Sequence, residues 1–215
     1  MFRAVVFDMD GVITDTEKLY RRFQLEEGKR LGIPEDVMIK ACERITGGNK
    51  YANKKPFEDI VGRGIDYMVY REGVINKLDN HINTYGVELK TGVKEILKYL
   101  KDKEIKIGLA TSTVKDRAEK YLKDNNIYEY FDELIFGNMV EHGKPAPDIY
   151  LKACEKLGVE PCETIAVEDS INGIISAGTA KLYPVMVIDM IMPNDEIKKY
   201  AKKIYDEITK IKEII

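Results

Sequence analysis

The apolar run Ala4-Val5-Val6-Phe7 ends in two acidic side chains, Asp8 and Asp10, followed by the turn residue Gly11. No other short stretch limits the fold as much. Four apolar residues bounded by a turn signal read as a short buried strand. Carboxylates at its exit do not serve packing. Two ionised carboxylates about 4 Å apart repel by roughly 4 kcal/mol at an effective dielectric near 20. Relief requires a cation between them or a proton on one of them. Open α/β sheets place their sites at the carboxyl ends of strands, so the pattern points to chemistry at that edge.

From about residue 90 the chain alternates strand and helix patterns. Helix is expected over 91–101, 115–123, 148–157, 170–178 and from Pro193 to about Lys202. Strands are expected over 105–110, 133–136, 164–167 and 185–188. Strands separated by helices imply a parallel sheet with right-handed crossovers. Residues 14–86 instead carry helical patterns alone, including 17–31 closed by Gly32 and 35–45 stopped by Gly47-Gly48. The expected architecture is α/β: a doubly wound, Rossmann-like parallel-sheet core over 1–13 and 87–215, with an inserted helical cap over 14–86.

Composition narrows the function classes. Hydrophobic residues make up 44% of the 215, enough for a full core. The net charge is −3 with interspersed signs and no basic stripe, which argues against a nucleic-acid partner. No apolar run approaches 18 residues, so no membrane span is expected. The amino terminus reads as a strand rather than a leader, and three cysteines without metal spacing suit a reduced cytoplasm.

Four features fall at strand ends or in the loops beside them: Asp8 with Asp10, Thr111, Lys144, and Glu168 with Asp169. A parallel sheet brings these distant positions to one edge. The carboxylates are an all-oxygen set suited to a hard cation such as Mg²⁺. A lysine, a hydroxyl and backbone amides near the helix start at Ser112 complete what a phosphoryl group needs around it. One of the first two aspartates can then act as nucleophile and the other as acid and base. Taken singly, each residue has a plainer reading. Glu168-Asp169-Ser170 is a common helix start, Thr111 a common strand-end residue, and Lys144 a common loop lysine.

In this order, Phe7-Asp8-Met9-Asp10-Gly11-Val12, Thr111, Lys144-Pro145 and Glu168-Asp169 resemble the four signature motifs of the haloacid dehalogenase-like superfamily. The chain looks like its beta-phosphoglucomutase and sugar-phosphate phosphatase branch. The resemblance implies that Asp8 is the nucleophile and a Mg²⁺ ligand, and that Asp10 is the general acid and base, its backbone carbonyl also on the metal. It further implies that Thr111, Ser112 and Lys144 bind phosphate, that Asp169 is the second principal metal ligand, and that Glu168 stands beside it as ligand or support.

A mutase of that branch carries a histidine and an arginine in the cap. Here Tyr20 and Lys50 fall where those residues align, and lysine lacks the bidentate fork of arginine. The exchange favours hydrolysis: a Mg²⁺-dependent phosphatase of small phosphorylated metabolites, sugar phosphates first, working as a monomer. The alternatives are a beta-phosphoglucomutase and a non-catalytic phosphometabolite-binding protein. Lys54, Lys55, Arg63 and Lys77 are further cap cations that could set specificity, though Lys50, Lys54 and Lys55 are more often a wet helix face than a phosphate clamp.

Overall fold

The structure is a computed structural model that describes residues 2–45, 53–62 and 64–215. Lys50 and Arg63, named above as cap cations, lie outside the described residues. In chain order the elements are β1 (Ala4–Phe7), α1 (Thr16–Arg30), α2 (Glu35–Ile45), α3 (Lys54–Val61), α4 (Tyr67–Tyr85), α5 (Val93–Asp102), β2 (Lys106–Thr111), α6 (Lys115–Asp124) and β3 (Glu133–Phe136). Then follow α7 (Asp148–Leu157), β4 (Thr164–Glu168), α8 (Ile171–Thr179), β5 (Tyr183–Val187), α9 (Asp195–Tyr200) and β6 (Lys203–Tyr205). Among the described residues, no helix is long and apolar enough to cross a membrane.

The strands form one sheet in the order β3-β2-β1-β4-β5-β6, every neighbouring pair parallel. The order reverses direction at β1, between β2 and β4, which is the switch point of a doubly wound sheet. β1 and β4 are buried at every residue, as strands covered on both faces must be. Register sets the chemistry in rows. Phe7 stands opposite Leu109 on one side and Val167 on the other. The next residue of each strand, Asp8, Ala110 and Glu168, therefore falls in one row at the carboxyl edge.

Local signals close the helices of this unit. Ser170 caps α8 through its hydroxyl, which accepts from Gly173 N. Gly158 ends α7 at φ 63°, in the left-handed region that glycine adopts without strain. The expected last helix to about Lys202 is shorter than the sequence suggested. α9 ends at Tyr200, and Lys203–Tyr205 then pair with β5 as a sixth strand. Three residues at a sheet edge carry too little periodicity to be recognised, and their conformation comes from pairing with β5 rather than from propensity.

Residues 1–15 and 87–215 form one compact unit and 16–86 another. The division falls two residues beyond the expected position. Thr14 bridges antiparallel to Leu89, and Asp15 N donates to Glu88 O at 2.9 Å, so both residues stay with the sheet. The smaller unit packs α1 against α4 and α2 against α3. The rings of Phe57 and Tyr70 stack at 4.5 Å in its interior, with Tyr67 tilted alongside. Asp66 caps α4 by accepting from Met68 N and Val69 N.

Within this unit Glu27 is 1% exposed yet ionic. Its Oε1 lies 2.6 Å from Arg30, and its Oε2 lies 3.9 Å from Lys77. A side chain at Gly73 would collide with this carboxylate, so that glycine makes room for it. Lys77 is thus a partner of Glu27, and Lys54 faces Glu58 one turn on at 4.0 Å.

Candidate active site

The turn after β1 carries Asp8 and Asp10 in different directions. Asp8 N donates to Val167 O, which extends β1–β4 pairing by one residue and fixes the Asp8 backbone. The Asp8 side chain is 11% exposed and meets Lys144, whose Nζ lies 2.5 Å from Asp8 Oδ1. Asp10 turns to the loop after β2, where the Thr113 hydroxyl donates to its Oδ2 at 2.6 Å. Gly11 sits at φ 81°, and a side chain there would collide with the Asp169 carboxylate. Only glycine satisfies both constraints.

Lys144 is the hub. Besides Asp8 it donates to Glu168 Oε1 at 2.6 Å and to Ala110 O at 2.9 Å, and its ammonium lies 5.2 Å from the centre of the Tyr150 ring. The Lys144-Pro145 peptide bond is cis. Glu168 is fully buried and held on both oxygens. Its Oε1 takes Lys144 and the Tyr150 hydroxyl, which donates at 2.8 Å. Its Oε2 takes Asp169 N, Ser170 N and the Ser170 hydroxyl. Gly173 on α8 leaves the space this carboxylate occupies. So saturated, Glu168 anchors the lysine more than it reaches outward.

Asp8, Glu168 and Asp169 each bring one carboxylate oxygen within 4.8 Å of the others, all three buried. Burial pushes the Asp8 carboxyl up to about 8; Lys144 opposes this, while Glu168 and Asp10 add to it. For Lys144, burial pulls the ammonium down, but Asp8 and Glu168 outweigh it and hold it above the ordinary lysine value. One ammonium therefore fails to neutralise three close carboxylates. The donor set is all oxygen and short of positive charge, which fits a hard divalent cation.

Thr111 is fully buried at the end of β2, and its Oγ1 accepts from Thr113 N at 3.0 Å. Ser112 follows on the exposed surface of that loop. Tyr20 belongs to the other compact unit, where burial, with Tyr67 next, pushes its hydroxyl up to about 12. Two participants escaped the sequence reading. Thr113 could have been found as a second hydroxyl two residues after Thr111. Tyr150 is a buried core aromatic whose hydroxyl alone sets it apart, and nothing in the helical pattern over 148–157 marks that.

Comparison with known proteins agrees with this geometry. Residues 2–181 match the family of haloacid dehalogenase-like hydrolases. The chain is 34% identical over 203 residues to a phosphorylated carbohydrates phosphatase of Thermotoga maritima, covering 85% of each chain. It is 32% identical over 199 residues to a beta-phosphoglucomutase of Bacillus subtilis, covering 86% of this chain and 83% of the other. A crystal structure from Thermotoga maritima, described as a candidate beta-phosphoglucomutase, matches over 100% of both chains with TM-score 0.78 at 29% identity. The chain therefore belongs to the haloacid dehalogenase-like hydrolases and is an enzyme of their phosphoric monoester hydrolase kind.

Proposed function

We propose that the protein is a Mg²⁺-dependent phosphatase of small phosphorylated metabolites, sugar phosphates foremost, and that it works through an aspartyl-phosphate. The observation that carries this reading is the cluster at the carboxyl edge: Asp8, Glu168 and Asp169 within 4.8 Å, with Lys144 bridging the first two. In this reading Asp8 and Asp169 hold the cation with the Asp10 carbonyl, and Glu168 supports them. When bound, Mg²⁺ neutralises the carboxylates and the phosphoryl oxygens and keeps Asp8 ionised.

Asp8 attacks the phosphorus, and the bond to the leaving oxygen breaks. Asp10 gives its proton to that oxygen, leaving a phosphoryl group on Asp8. Asp10 then takes a proton from the attacking water, the bond from Asp8 to phosphorus breaks, and inorganic phosphate leaves. Thr113, donating to Asp10 Oδ2, orients that carboxyl. Lys144 pairs with Asp8 and offers positive charge to the phosphoryl oxygens, with Thr111 and the amide of Ser112 beside it.

The names of two relatives, one a phosphatase of phosphorylated carbohydrates and one a hexitol phosphatase, support a sugar-phosphate substrate. A second reading, phosphoryl transfer within one sugar phosphate, has the beta-phosphoglucomutase relative in its favour. Tyr20 in place of a cap histidine favours the hydrolase. We further propose that the enzyme works in the cytoplasm, which suits three cysteines free of disulfides, and that it works as a monomer. A panel of phosphosugars with MgCl₂ decides the matter. Phosphate release from at least one member is expected, with no isomerisation of glucose 1-phosphate in a coupled assay. No release from any member overturns the phosphatase, and isomerisation without release establishes the mutase.

A further inference from the structure

Asp189 lies two residues past β5 and is 3% exposed at its side chain. Its position is fixed from two directions. The preceding residue, Ile188, donates its N–H to Tyr205 O of β6 at 2.8 Å. Its own Oδ1 takes Lys90 Nζ at 2.5 Å. Lys90 in turn lies 3.7 Å from Asp15 Oδ1, and its backbone N donates to Ile13 O at 3.0 Å. The lysine thus stands where the chain leaves the sheet unit and returns to it.

The second oxygen is the unusual one. Asp189 Oδ2 is buried, and no group among the described residues donates to it. A buried carboxylate oxygen without a donor is costly, so its retention asks for a reason. It faces the bare Cα of Gly11. The place a side chain there would fill lies 3.3 Å from Asp189 Oδ2, and the Asp169 carboxylate already intrudes on it. Two acidic side chains from neighbouring strand ends therefore converge on one spot, and only the absence of a side chain at residue 11 permits it.

We propose that Asp189 is a positioning residue of the divalent-cation site. Its Oδ2 accepts a hydrogen bond from water carried by the cation that Asp8 and Asp169 hold. This rests on the cation reading of the proposed function and adds to it a residue outside the four motifs. Carboxylates just beyond the ligands fix the water shell of an ion, and their loss typically weakens affinity by about 10–100-fold. Mg²⁺ keeps several of its waters when bound by few carboxylates, so a buried acceptor beside the ligands is well used. Lys90 keeps the oxygen aimed by holding its twin.

Calorimetric titration of the substrate-free protein with MgCl₂ tests this. The wild type should bind Mg²⁺ and Asp169→Asn should lose measurable binding. Asp189→Asn should bind about tenfold more weakly, with the metal-free melting temperature recorded beside it. An Asp189→Asn affinity within about twofold of wild type overturns the proposal and leaves the cation site standing. A lowered melting temperature with unchanged affinity does the same, and marks Asp189 as structural only. Wild-type protein that takes up no Mg²⁺ overturns both readings. Asp189→Ser serves the same titration, with the same thresholds, where Asp189→Asn fails to fold.

Discussion

Glu27 in the helical unit and Glu168 at the end of β4 are buried in the same manner. Each is at most 1% exposed at its side chain, and each sits against a glycine on a facing helix, Gly73 for one and Gly173 for the other. Each accepts from a basic side chain at 2.6 Å. Their charge balance is opposite. Glu27 alone meets two cations, Arg30 and Lys77, and both reach toward solvent. Glu168 shares one sequestered ammonium with Asp8, and Asp169 lies beside them. A closed balance of charge builds a structural joint between α1 and α4. An open one leaves a place that a cation or a proton must complete. Burial of an acid does not by itself mark a functional site; the charge left over does.

The sharpest way to break the comparison is Asp8→Asn. Turnover should fall by about a thousandfold or more, since the nucleophile is gone, as measured by phosphate release. The same variant tests the charge balance through stability. With its pKa pushed up to about 8 from an ordinary 3.8, Asp8 binds its proton more tightly folded than unfolded. Its contribution is therefore present below the ordinary value and lost as pH rises through about 8. In chelator, thermal melts of the wild type should show that loss between these limits, and Asp8→Asn should flatten it. An unchanged slope would mean that the acids are already neutralised.

Next in size is Lys144→Met, which removes the hub and leaves its carboxylates facing each other. Breaking one side of a buried pair costs about 3–5 kcal/mol. Denaturant melts should show that loss without Mg²⁺ and a smaller one with it. Glu27→Gln should cost about 1–3 kcal/mol, while kcat should stay within about twofold of wild type because the joint carries no chemistry. Equal damage to turnover would dissolve the distinction between the two sites. Tyr150→Phe removes one donor from Glu168 and nothing else. A loss near 1 kcal/mol and a fall in kcat below about tenfold are expected.

The comparison also explains what could be read from residues alone. The α/β core was visible because β1 to β5 are short apolar runs and helices such as α8 and α7 carry a cap or a stop, as at Ser170 and Gly158. The motif residues Asp8, Thr111, Lys144 and Asp169 were visible because strand exits are few and polar residues there are conspicuous. β6 was not, since three residues at an edge take their conformation from β5. Glu27 was not, because an acid within an amphipathic helix reads as solvent-facing until the partner helix is placed. Tyr150 and Asp189 were not, because their roles depend on one atom each, and that atom's surroundings come from segments far away in the chain.

The parallel register of β1 with β2 and β4 has a consequence for how this enzyme tolerates change. Phe7 paired with Leu109 and Val167 is the last hydrophobic rung before the reactive edge. A deletion inside β4 would still leave a pairable apolar ladder, yet it would draw Glu168 and Asp169 back by one rung, about 3.3 Å, and turn their side chains to opposite faces. Such a protein could melt cooperatively and be wholly inert. Length changes should therefore be survivable in the loop before Thr164 and ruinous for catalysis within the five residues after it, a boundary that a scan of single-residue deletions would draw.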